Sequence, residues 1–233
     1  MNKFRFGKYG ETDVMSQLIG ENYPALLVMS RFGIALGFGE KTIGDVCREN
    51  GVDVHTFLAI INLIANGNRI PLSFETNISI DSLIDYLHNS HDFFLNYRLP
   101  EIRKKLLKVL NKDEDNLNKA VLGYFDKFVL EVNNHMMNEN RKVFPYVKSL
   151  QKAENKNKCS LVFSKPHEQI EMRLTEFKNI LIKYYPAQST HEINDVLFDI
   201  FNCEKDLASH NAVEEYLFLP AIVDLENKIR KSS

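Results

Sequence analysis

Apolar residues recur along this chain every three to four positions, the spacing that lines one face of an α-helix. No run alternates apolar and polar between turn signals as a half-buried strand would. After weak signals over residues 1–20, Pro24 opens a helical pattern (Ala25, Leu26, Leu27, Met29, Phe32) that stops at Gly33. Thr42, with Asp45 three residues on, has the form of a capping box for a short helix ending at Asn50-Gly51. Asp53 caps another that runs to about Ala65 and is stopped by Asn66-Gly67-Asn68. Residues 67–77, with Pro71, read as a linker. From Ser79 the pattern resumes with Ile80, Leu83, Ile84, Leu87 and His91. Leu99-Pro100 kinks or restarts it, and it continues to Leu110. A polar turn at Asn111–Asp115 precedes a long helical pattern from about Leu117 to Leu150. Beyond a charged loop at Lys152–Lys158, Pro166 starts a helix that Tyr185-Pro186 ends. Ser189 and Glu192 then form a capping box for a last helix reaching nearly to the C-terminus. The expectation is an all-α protein with a small helical N-terminal domain over residues 1–70. Four long helices with short connections, over residues 79–233, predict an up-down four-helix bundle.

Helix, glycine turn and helix over Thr42–Leu63 imitate a DNA-reading motif. A recognition helix must offer basic or amide side chains to phosphates and base edges. The second helix here (Val54-His55-Thr56-Phe57-Leu58-Ala59-Ile60-Ile61-Asn62-Leu63-Ile64) carries no Lys or Arg and reads as a core helix. Overall charge agrees: a formal net charge of -2 and a pI near 6.4 give no general reason to expect a nucleic-acid or acidic-membrane partner. The first residues lack the apolar core of a signal peptide, and the longest apolar stretch, around Phe57–Ala65, is broken by Asn62 and too short to span a bilayer. Cys47, Cys159 and Cys203 stand in no metal-binding or redox spacing. These features predict a reduced, cytoplasmic chain with no membrane partner.

Candidate chemistry lies in the long helices. His135 is followed by Glu139 and then Pro145, and His210 by Glu214 and then Pro220, with the same spacing. On a helix, positions i and i+4 share a face, so imidazole and carboxylate can aim at one point, as a metal accepting N and O donors requires. The spacing alone is common here: of the seven histidines, His88, His135, His167, His191 and His210 all have an acid at i+4. Only two of these also have the proline. Taken helix by helix, the bundle offers His91, then His135 and Glu139, then His167, then His210 and Glu214. His88, about one turn before His91, is an alternative ligand. Glu171 is an alternative third carboxylate. Glu131, one turn before His135, is open to a role beside the site as an acid or proton relay, or to a surface role. Met136 and Met137 read as packing residues.

This set, with His91-Asp92 ahead of Leu99-Pro100-Glu101, His135 to Glu139 with Phe144-Pro145, His167-Glu168, and His210 to Glu214 with Pro220, resembles the haemerythrin-like domain over roughly residues 79–222. More closely it is similar to the repair-of-iron-centres family, di-iron proteins linked to nitrosative and oxidative damage of iron–sulfur clusters. The resemblance implies two non-haem Fe ions bridged by the carboxylates of Glu139 and Glu214 and capped by His91, His135, His167 and His210, two imidazoles per iron. It implies small-molecule partners (O2, NO or peroxide) and damaged iron–sulfur proteins, with a homodimer as a further expectation. With four histidines, where oxygen-carrying haemerythrins have five, a coordination position stays open on each iron. Function is left between cluster repair or protection, O2 or NO binding without turnover, and a bundle whose site is vestigial. Residues from about 14 to 66 also resemble that family's N-terminal domain, with one departure. Its Cys-Cys pair is replaced by Gly33-Ile34-Ala35-Leu36-Gly37-Phe38-Gly39.

Overall fold

The computed structural model describes residues 7–69, 77–110, 116–152, 166–186 and 190–231. The helices are α1 (Met15–Glu21), α2 (Ala25–Arg31), α3 (Ile43–Glu49), α4 (Val54–Ala65), α5 (Ile80–Phe93) and α6 (Leu99–Leu110). They continue with α7 (Asn116–Asn138), α8 (Phe144–Gln151), α9 (Pro166–Tyr184), α10 (Thr190–Val213) and α11 (Leu219–Lys231). Among the described residues the only β pairing is an isolated bridge between Val14 and Thr42. The fold is all-α, as the periodicity predicts. Most of the expected linker, the 111–115 turn, nearly all of the 152–158 loop, Cys159 and the cap at Ser189 lie outside the described residues.

The chain forms two compact units: Met1–Ser90 with Val147–Asn155 and Ser209–Ser233, and His91–Tyr146 with Lys156–Ala208. In the first, both expected caps are present: Thr42 Oγ1 accepts from Asp45 N (3.2 Å) and Asp53 Oδ1 from Thr56 N (2.8 Å). Helix α4 buries Phe57, Ala59, Ile60, Ile61 and Leu63, so it is apolar nearly all round because it is enclosed. Its one buried amide has a task. Asn62 Oδ1 accepts from Tyr9 N (2.8 Å) and Asn62 Nδ2 donates to Tyr9 O (2.9 Å), so the side chain pairs with the backbone at Tyr9 as another backbone would. Gly7 lies against it at φ 123°, where an added Cβ would come within 2.5 Å of Asn62 Cγ. Helix α1 falls in the stretch of weak sequence signal. It has no side-chain cap, and what defines it is burial of Met15 and Leu18.

The apolar surface of the N-terminal helices is largely covered within this unit. Phe32 packs on Tyr86 of α5 (ring centroids 5.2 Å) and on Phe57 (5.7 Å). Arg31 Nη1 donates to Tyr86 Oη (3.3 Å), and Asn89 Nδ2 donates to Arg31 O (2.7 Å). Cys47 is fully buried in α3, and burial pushes its thiol up to about 12.

In the second unit, four helical segments share one core. Arg103 of α6 meets Asp126 of α7 (2.7 and 2.9 Å), while Asn118 Nδ2 donates to Leu110 O (2.8 Å), so the two helices run antiparallel. Tyr124 with Glu176, Glu131 with Arg173 and His135 with His167 set α7 antiparallel to α9. Lys105 with Asp195 and Arg98 with Asp199 do the same for α6 and α10. Lys178 and Thr175 of α9 both meet Glu204 of α10. Between them lie Leu106, Phe125, Phe128, Val132, Phe177, Val196 and Ile200, all essentially inaccessible to solvent. Each such side chain contributes about 1.5–3 kcal/mol on burial, whereas the half-exposed ion pairs around the rim contribute about 1 kcal/mol or less.

The sequence predicts a continuous helix over 117–150 and another to the C-terminus. Both are interrupted. A π-helical turn occupies Phe94–Arg98, Glu139–Val143 and Glu214–Phe218, each beginning six residues before a proline: Pro100, Pro145 and Pro220. The cause is local. Proline brings no N–H to the carbonyl four residues back and its ring crowds that carbonyl, so the helix widens. The residue before each proline then donates one position further back: Leu99 N to Phe94 O, Phe144 N to Glu139 O and Leu219 N to Glu214 O. Two of these turns start on the glutamates singled out in the sequence.

Candidate metal centre

His91 closes the last turn of α5 and is wholly buried. Its Nε2 lies 3.5 Å from Glu139 Oε2, its Nδ1 2.8 Å from Asn140 Oδ1, and its ring stacks on Phe144 with centroids 5.5 Å apart and planes 14° from parallel. His135, one turn before Glu139 on α7, has its Nε2 3.5 Å from the other carboxylate oxygen, Oε1. The two oxygens of Glu139 thus face two different imidazoles. His167, the second residue of α9, brings its Nε2 within 2.9 Å of His135 Nε2, with the rings at 78°. Two nitrogens each about 2.1 Å from one metal and at right angles would be about 3 Å apart, so this pair has the separation of neighbouring donors on one ion. His210 on α10 and Glu214 at the start of its π turn are both buried, with Nε2 and Oε1 3.2 Å apart.

His91, Glu139, His210 and Glu214 form one group, and His135, Glu139, His167 and Glu214 a second, the donor atoms of each lying within 4.8 Å of one another. Each group holds two imidazoles and two carboxylates, and both glutamates belong to both. This donor set suits a divalent first-row metal: imidazole with carboxylate is the ligation of non-haem iron, and four protein donors leave positions open for a small molecule.

The alternatives fall away on position. His88 is exposed, and neither it nor Glu171 belongs to either group. Glu131 points to the surface, where Arg173 Nε holds it at 2.6 Å, so the proton-relay reading has no support in its contacts. Asp92 is exposed, and Asp195, also exposed, pairs with Lys105. Met136 is buried in the core, as a packing residue should be. Asn140 is the residue that the sequence did not single out. Its only linear signal is adjacency to Glu139, and the ring it meets is 49 residues away in sequence.

The family model for the Hemerythrin HHE cation binding domain matches residues 82–222, more than half of the chain. The chain belongs to the hemerythrin HHE cation-binding family, and its His/Glu cluster can hold a metal ion. Comparison with curated proteins finds no match. No helix among the described residues is long and apolar enough to cross a membrane.

Proposed function

We propose that the chain is a non-haem di-iron protein of the repair-of-iron-centres type, which repairs or protects iron–sulfur clusters under nitrosative or oxidative stress. In this reading Glu139 and Glu214 bridge two Fe ions, His91 and His210 cap one, and His135 and His167 cap the other. One observation carries it: Glu139 presents Oε2 to His91 and Oε1 to His135, the disposition of a carboxylate shared by two metals. Ion pairs at about 3.5–4 Å are usual for such shared sites. When bound, the irons supply redox and Lewis-acid chemistry toward O2, NO or peroxide.

The chain's own residues set the conditions for that chemistry. His91, His210, Glu139 and Glu214 are withdrawn from water, while His135 and His167 keep a little exposure, which favours approach of a small molecule from the His135 side. The four histidines together are one short of the five of the oxygen-carrying haemerythrins, which favours reaction or iron release over oxygen storage. The glycine turn at Gly33–Gly39 has no thiol, so the N-terminal helices act in docking or in covering the site rather than in disulfide exchange. A cytoplasmic location, damaged iron–sulfur proteins as partners and a homodimeric state belong to the same proposal. The test is restoration of a nitric-oxide-inactivated iron–sulfur enzyme by the iron-loaded chain. Reactivation above that given by free iron supports repair, whereas reversible NO or O2 binding without reactivation supports a sensor instead.

A further inference from the structure

The π turn after α7 does more than re-aim Glu139. In a turn closed over five residues, Glu139 and Phe144 lie one turn apart, with Phe144 N donating to Glu139 O, and Asn140 is the next residue round from Glu139. All three meet one ring: Glu139 faces His91 Nε2, Asn140 Oδ1 lies 2.8 Å from His91 Nδ1, and Phe144 stacks on the imidazole face. An amide oxygen is an acceptor only, so with Oδ1 facing the ring this contact calls for the ring proton on Nδ1. The lone pair of Nε2 is then directed at the carboxylate cluster. A metal-ligating imidazole needs this arrangement, since the partner of its second nitrogen fixes tautomer and orientation. A leucine in place of Asn140 would fill similar volume and leave that N–H without this acceptor.

We propose that Asn140 is the positioning residue for His91, holding it in the Nδ1–H tautomer before any metal arrives. The inference rests on the reading of His91 as a ligand, but its first test does not need metal. In metal-free protein with 15N-labelled histidine, long-range proton–nitrogen correlation identifies the protonated ring nitrogen, and His91 is assigned by the signal missing from His91→Ala. The expected result is a proton on Nδ1 in the wild type and in Asn140→Asp, which keeps an acceptor in place, and a mixed or Nε2-protonated ring in Asn140→Leu. In the second test, iron affinity is measured by competition with a chelator. Asn140→Leu should weaken it about 10–100-fold, the usual cost of losing the partner of a ligating histidine. Asn140→Asp should bind about as tightly as wild type.

A packing role would give a different result, with both variants weakened alike and the tautomer unmoved. That outcome, a wild-type His91 protonated on Nε2, or undiminished iron affinity in Asn140→Leu would each overturn the proposal. A wild-type chain that takes up no iron would count against the di-iron reading, and the metal-free spectrum would still judge Asn140.

Discussion

Replacing Glu139 by alanine should strip the chain of both metal ions, whereas replacing His91 should remove one. The reason lies in which groups each residue serves. Glu139 belongs to both four-residue groups, so its loss leaves three donors in each, while His91 belongs to one, and its loss leaves the other group's four donors complete. On the two-metal reading, iron per chain falls from about two to near zero in Glu139→Ala and to about one in His91→Ala. Glu214→Ala should behave as Glu139→Ala does, because Glu214 is shared in the same way. The assay is anaerobic loading with Fe(II), removal of free metal, and elemental analysis against protein concentration. Far-ultraviolet dichroism of each metal-free variant checks that its helices persist. Equal iron retention in the three variants would refute the bridging argument, since no set of terminal ligands ranks in that order.

Three further outcomes follow from the packing and the ionisable groups. Asn62→Leu removes both hydrogen bonds to the Tyr9 backbone and leaves buried polar groups unmatched, so urea denaturation should show a loss of about 2–4 kcal/mol. Cys47, with its thiol pushed up to about 12 by burial, should react with an aromatic disulfide reagent at pH 8 only after unfolding, and Cys47→Ser should leave iron content unchanged. Tyr124, raised from 10.0 to about 12 first by burial and then by its hydrogen bond to Glu176, stabilises the fold while it is protonated. Because the folded value lies above the unfolded one, that contribution is whole below pH 10 and fades toward pH 12. Tyr124→Phe should lose this part of the alkaline transition. An unchanged alkaline denaturation curve would refute the assignment.

The helices, and the His-to-Glu pairs they carry, were legible because their signals are local. Thr42 with Asp45, Asp53, Pro24 and Pro166 mark helix starts through capping and proline geometry that act over a few residues. His-to-Glu spacing with a following proline is likewise a property of one helix, and its duplication at His135 and His210 singled out the pair. What was not legible depends on tertiary packing. Helix α1 has no cap and exists because Met15 and Leu18 are buried. Whether Glu131 served the site or the surface turned on Arg173, which lies on another helix. The π turns were half-legible: Pro100 signalled a kink, but the same residue type at Pro145 and Pro220 was read through as continuous helix. Asn140 could not be found from sequence at all, because the ring it meets, His91, lies 49 residues away on another helix.

The central claim is that the six-residue cluster holds two irons, and the most direct measurement is the metal content and optical spectrum of the chain purified from iron-replete cells. About two irons per chain, with near-ultraviolet ligand-to-iron charge transfer in the oxidised protein, is the predicted result. A single zinc per chain, or no metal at all, would contradict it.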